Sequence, residues 1–130
     1  MKFDFPGLFE IPDEWWVAAG MDRFQAKSVA YRASSNSEWP TVIVALTEIK
    51  PPMRNHGVRE FDKERMVQIL SGFANDDVLP SIEVDQPSGS FSHKFRLRDG
   101  FHRFYASAAA GFSHVPVSVR PYFDITDPHA

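Results

Sequence analysis

The stretch of this chain best equipped for chemistry is Arg98-Asp99-Gly100-Phe101-His102-Arg103. It stands between an alternating apolar run and an alanine-rich one, so it predicts a strand-to-helix turn with the helix opening at Gly100. A helix start leaves about four backbone N–H groups without intrahelical partners, and its dipole favours negative charge. Glycine at that point lets a ligand approach the backbone, because no Cβ intervenes. His102 and Arg103 fall in the first turn, and the planar guanidinium of Arg103 suits a phosphate. Free N–H groups, a glycine and an arginine together make a small phosphate cradle. The competing account is a plain helix start, in which Asp99 caps the helix and Arg103 makes a surface ion pair. Against it, cations in a first turn oppose the dipole unless an anion compensates.

Asp99 and His102 are the candidate catalytic groups beside this cradle. His102 titrates near neutrality, and a bound phosphate would favour its cationic form. For Asp99 the role of base competes with that of helix cap, and the cap is preferred. Glu48, Glu60 and Glu64 could face a phosphate from the adjoining loop and helix. The histidines His56, His93, His102, His114 and His129 are dispersed, without an i, i+4 pair, so no metal site is expected. Trp15, Trp16, Trp39 and Phe101 have two uses open to them, stacking on a base or packing, and packing is the commoner.

The elements that must position these groups follow from patterning. Met1 to Pro12 has no clean period and is expected to lie as an arm on the body. Acidic residues after Pro12 predict a short helix, Asp13 to Ala19, ended by Gly20, with at most one of Trp15 and Trp16 facing the core squarely. Ser28 to Arg32 is a candidate strand. Thr41 to Leu46 is β-branched and predicts a buried strand, followed by a loop over Lys50 to Gly57. Apolar residues at three- and four-residue steps from Phe61 to Phe73 predict a helix, with Asp62, Lys63, Glu64 and Arg65 at its solvent end. Leu79 to Val84 and Phe91 to Leu97 alternate and should pair as a hairpin. Phe101 to Ala110 is the helix closed by Gly111, and Val115 to Val119 the final strand. The chain divides into an arm or extension over 1–40 packed on the same domain, a core over 41–120, and a tail over 121–130.

Bulk properties bound the function. With 130 residues, 43% hydrophobic and 24% charged, the chain can bury a core of its own. It contains no cysteine, which excludes disulfides, thiolate metal sites and a cysteine nucleophile. A net charge of −3 gives no support to nucleic acid as a partner, since phosphate neutralisation dominates such binding. No apolar run approaches bilayer length and no secretory signal opens the chain, so no membrane partner and a cytoplasmic location are expected.

Leu97-Arg98-Asp99-Gly100-Phe101-His102-Arg103-Phe104-Tyr105-Ala106, followed by Gly111-Phe112-Ser113-His114-Val115-Pro116-Val117, resembles the ParB/sulfiredoxin superfamily. The shared pattern is a glycine, one residue, His or Arg, then Arg, a helix with a small residue, a glycine, and a strand containing Val-Pro. The upstream order fits as well, from Val42 to Leu46 through Ile49-Lys50-Pro51-Pro52 to Leu79-Pro80 and Ile82 to Val84. The resemblance covers about Thr41 to Arg120. It implies a compact α/β (α+β) domain, a small mixed sheet with helices packed on it. It implies too that Gly100, His102 and Arg103 contact the phosphates of a nucleotide or another phosphate-bearing small molecule. Arg54 and Arg59, in or beside the loop after the first strand, would border that ligand, or would be plain solvent-exposed charges. The identity of any cofactor stays open, a nucleotide with Mg²⁺ being one candidate.

The departures restrict the activity. Sulfiredoxins carry a catalytic cysteine directly before the His-Arg pair, and nucleotide-hydrolysing segregation proteins a glutamate; Phe101 stands there in this chain. No helix-turn-helix segment follows the match before Ala130, so centromere binding is not expected. Three functions are left: a phosphate-ligand or nucleotide-binding domain with any catalysis being phosphoryl transfer or hydrolysis, a nuclease acting on nucleic acid, or a non-catalytic interaction module that keeps the fold.

Overall fold

A computed structural model describes residues 1–34, 38–52, 58–87 and 92–121. Two short strands, β1 (Lys2–Phe3) and β2 (Phe9–Glu10), pair antiparallel and lead into helix α1 (Asp13–Ala18). The main sheet is built from β3 (Thr41–Ala45), β4 (Ile49–Lys50), β5 (Ile82–Asp85), β6 (Phe95–Asp99) and β7 (His114–Val119) in the order β3-β7-β5-β6-β4. It is mixed: β3/β7 and β5/β6 are antiparallel, β5/β7 and β4/β6 parallel. Helices α2 (Lys63–Ala74) and α3 (Phe101–Ala110) pack on each other, α1 rests on α2, and α3 contacts β5 and β7.

The core forms where these elements meet. Met66, Leu70 and Phe73 of α2 and Phe104, Tyr105 and Ala106 of α3 close over Ile82, Val84, Val115 and Val117 of the sheet. Phe9, Ile11, Ala19, Met21 and Tyr31, all ahead of β3, belong to the same apolar cluster. Pro116 is tolerated inside β7 because the pairing with β5 begins only at Val117, so on that side no N–H is required of it. Among the described residues no helix is long and apolar enough to cross a membrane.

Several expectations change. Thr41 to Leu46 is not a buried strand: β3 is an edge strand, with Val42 44% and Ile43 51% exposed. A β-branched run marks extended backbone but cannot tell edge from centre. Ser28 to Arg32 forms no strand; Val29 O accepts from His114 N–H of β7, and an isolated bridge joins the following Ala33 to Leu79. The first helix ends at Ala18, one residue early, and both Trp15 and Trp16 are half-buried against the core. The hairpin of β5 and β6 is present, shifted toward the C-terminus relative to the alternation, and Phe91 lies outside the described residues. Helix α3 matches its predicted span, ending at Gly111 with φ 91°.

Candidate functional site

Gly100 makes the turn from β6 into α3. Its φ of 107° lies in the left-handed region that glycine enters without penalty. The sequence suggested that the missing Cβ makes room for a ligand. The structure gives another reason: a Cβ on Gly100 would lie 2.6 Å from Cγ2 and 2.8 Å from Cβ of the buried Ile82. Glycine is demanded there by packing of the helix start on β5.

The start of α3 carries no side-chain cap. Asp99 is exposed and pairs in the ladder opposite Glu83, so the expected cap is not made. Nor does Arg103 enter an ion pair among the described residues. Its Nη2 donates to Ser81 O at 3.4 Å, and its Nε is buried without a partner among the described residues. Both points go against the plain helix start.

A cleft of about 610 Å³ opens in front of this turn. Its walls are the α3 start from Gly100 to Arg103, Leu97 to Asp99 at the end of β6, and Leu79 and Pro80 ahead of β5. The start of α2 supplies Arg65, Gln68 and Ile69, and the stretch before it Pro52 and Arg59. Four arginines, Arg59, Arg65, Arg98 and Arg103, therefore line one cavity with a single described acidic residue, Asp99. Arg98 is partly answered elsewhere, 3.6 Å from the buried Asp85, which Arg96 already grips at 3.1 and 2.8 Å. Arg59 stacks over the Phe101 ring, 4.0 Å from its centroid, an arrangement that holds a cation in place without neutralising it.

His102 bridges the two helix starts. Its Nε2 accepts the backbone N–H of Asp62 at 2.8 Å, while the Asp62 carboxylate caps α2 by accepting Arg65 N–H at 2.9 Å. An accepting Nε2 puts the neutral ring's proton on Nδ1. Partial burial, then the charges of Arg59 and Arg65, hold the His102 pKa below the usual histidine value, with Asp62 pulling weakly the other way. His102 is thus a neutral structural tie near pH 7.

The structure brings Asp99, Gly100, His102, Arg103 and Arg59 to one cleft. Arg54 lies outside the described residues, as do His56 and His129. Glu48, Glu60 and Glu64 do not line the cavity. Arg65 and Gln68 were missed. The apolar periodicity of α2 put Arg65 at a solvent end, and Asp62 and Glu64 beside it offset its charge at the helix start, so nothing in the sequence singled it out. Phe101, 8% exposed, packs against Phe61, Tyr105 and the His102 ring, so its use is packing together with support for Arg59.

No family model matches the chain, and neither does any curated protein. Among solved structures it is similar to sulfiredoxin from Arabidopsis thaliana, with a TM-score of 0.51 at 17% identity over 64% of this chain and 86% of that one. It is also similar to the C-terminally truncated chromosome-partitioning protein ParB from Caulobacter crescentus complexed with CTP-γ-S, with a TM-score of 0.49 at 23% identity over 66% of this chain and 47% of that one. The chain has a sulfiredoxin-like fold.

Proposed function

We propose that this domain binds a phosphate-bearing ligand, a nucleotide first among them, in the cleft at the start of α3. The observation that carries the reading is the set of cations around an uncapped helix start. Arg59, Arg65 and Arg103 line the cleft, and none has a carboxylate partner among the described residues. In a chain of net charge −3, holding like charges together costs free energy that an arriving anion offsets. The N–H groups of the first turn, which no side chain caps, and the forked guanidinium groups are donors only, which fits phosphate oxygens. Gly100 serves by shaping the turn, and Arg103, Arg59 and Arg65 supply the contacts. Asp99 and His102 are the groups at hand for moving a proton. Phe101, at the position next to them, has neither a nucleophile nor a base, which favours holding the ligand over turning it over.

Calorimetric titration with inorganic pyrophosphate and with nucleoside triphosphates, with and without Mg²⁺, tests the reading in wild type and Arg103→Ala. Losing a charge-assisted hydrogen-bond donor should cost about 2 kcal/mol, roughly thirtyfold in Kd. Binding that survives Arg103→Ala unchanged would put the ligand elsewhere. Metal-dependent cleavage of nucleic acid by the wild type would replace the binding reading with that of a nuclease. No response to any phosphate compound would leave an interaction module.

A further inference from the structure

Residues 21–34 form neither helix nor strand, yet they hold the loop that carries one wall of the cleft. Leu79 N–H donates to Arg32 O at 2.9 Å, and Ser34 N–H donates to Leu79 O at 3.0 Å. The Arg32 guanidinium grips Asp76 through its carbonyl at 3.1 Å and its carboxylate at 3.3 Å. Tyr31 is buried, stacks on Phe73 with centroids 5.3 Å apart, and donates its hydroxyl to Pro80 O at 2.7 Å. The next carbonyl in that loop, Ser81 O, is the one that accepts from Arg103. Two successive carbonyls of one segment thus receive Tyr31 and Arg103, which brings the guanidinium charge beside the phenol, where burial raises the pKa and that charge pulls partly the other way.

We propose that Tyr31 is a positioning residue of the anion site: its hydroxyl, anchored on Pro80 O, accepts from the Arg103 guanidinium and fixes the direction in which that group meets a phosphate. The assignment rests on phosphate binding at α3 and adds to it a contribution from the segment before β3. A phenol has one proton and two lone pairs. With the proton committed to Pro80 O, a lone pair is left for the guanidinium, which can only donate. Burial raises the phenol pKa, so the hydroxyl keeps its proton at any ordinary pH. Arg103 needs such a holder. Its bond to Ser81 O is long, its Nε has no partner among the described residues, and a free arginine side chain samples many rotamers. Tyr31 reduces what a ligand would otherwise have to immobilise.

Tyr31→Phe removes the hydroxyl and leaves the ring on Phe73. Pyrophosphate titration of wild type, Tyr31→Phe, Arg103→Ala and the double variant forms one cycle, and nitrogen-15 NMR of the Arg103 Nε–H gives a readout that needs no ligand. The expected result is about a fivefold weaker Kd in Tyr31→Phe, the worth of one hydrogen bond. In the Arg103→Ala background the same change should do nothing, and Arg103 Nε–H exchange should be faster in Tyr31→Phe. A purely structural hydroxyl would lower the melting temperature alike in both backgrounds and leave Nε–H exchange alone. That result, or an equal loss of affinity in both backgrounds, overturns the proposal. Should wild type take up no pyrophosphate, the binding reading fails by itself. Exchange at Nε then still decides whether Tyr31 orders Arg103, and unchanged exchange would end the proposal.

Discussion

Two helix starts face the same cleft and are finished in opposite ways. The start of α2 is closed from within: the Asp62 carboxylate accepts Arg65 N–H, and the Asp62 N–H is taken by His102. The start of α3 has no side-chain cap, and basic residues follow it at once. A start that brings its own carboxylate is stable alone and has little left to offer an anion. One that withholds it keeps its donors for something that arrives. The contrast supports the proposed ligand site better than the count of arginines does, since both starts contribute one to the cleft.

Three measurements would break or sharpen that contrast. Gly100→Ala should do the most damage, because a methyl group meets Ile82 and the backbone must hold a positive φ. We expect about 3 kcal/mol lost in chemical denaturation, with or without phosphate present. A loss seen only in ligand affinity would restore the idea that this glycine serves ligand approach. Next, Asp62→Ala should remove about 1 kcal/mol of stability, the usual worth of a cap. Phosphate affinity should hold or tighten slightly, since a negative charge leaves the neighbourhood of the cleft. A fall in affinity as steep as the Arg103→Ala loss would erase the difference between the two starts.

The smallest effect is on acid stability. The folded-state pKa of His102 lies below its ordinary 6.5, so as pH falls the unfolded chain takes up the proton first. The stability from the neutral tie is therefore complete above about pH 6.5 and declines as pH drops toward and through the folded value. Denaturant midpoints followed from pH 7.5 to 5 should fall less in His102→Gln than in wild type. Parallel curves would mean that Nε2 does not hold Asp62 N–H in solution.

Much of this was legible in the chain, and the misses have physical causes. Helix α3, its closing glycine and the turn before it were readable because a left-handed glycine at each end and an apolar face leave few alternatives. The hairpin of β5 and β6 was readable as alternation, but its register was not, since register depends on what each face meets. Edge and centre could not be told apart for Thr41 to Ala45, because neighbours in a sheet are chosen by the whole topology. The role of residues 21–34 was hidden for the same reason. Tyr31 and Pro80 are far apart in sequence, and no periodicity links a phenol to a carbonyl in a distant loop. Arg65 was hidden by its own helix, whose apolar stripe showed which face is buried but not what the exposed face looks onto.

The tight seat of Gly100 against Ile82 bears on how related chains should be compared. Any descendant that keeps this junction between strand and helix must keep the glycine, whether or not it has retained an occupant. Shared glycine at this turn therefore testifies to ancestry of the scaffold. An inherited trade is better sought in the guanidinium one helical turn further on and in the phenol that steadies it.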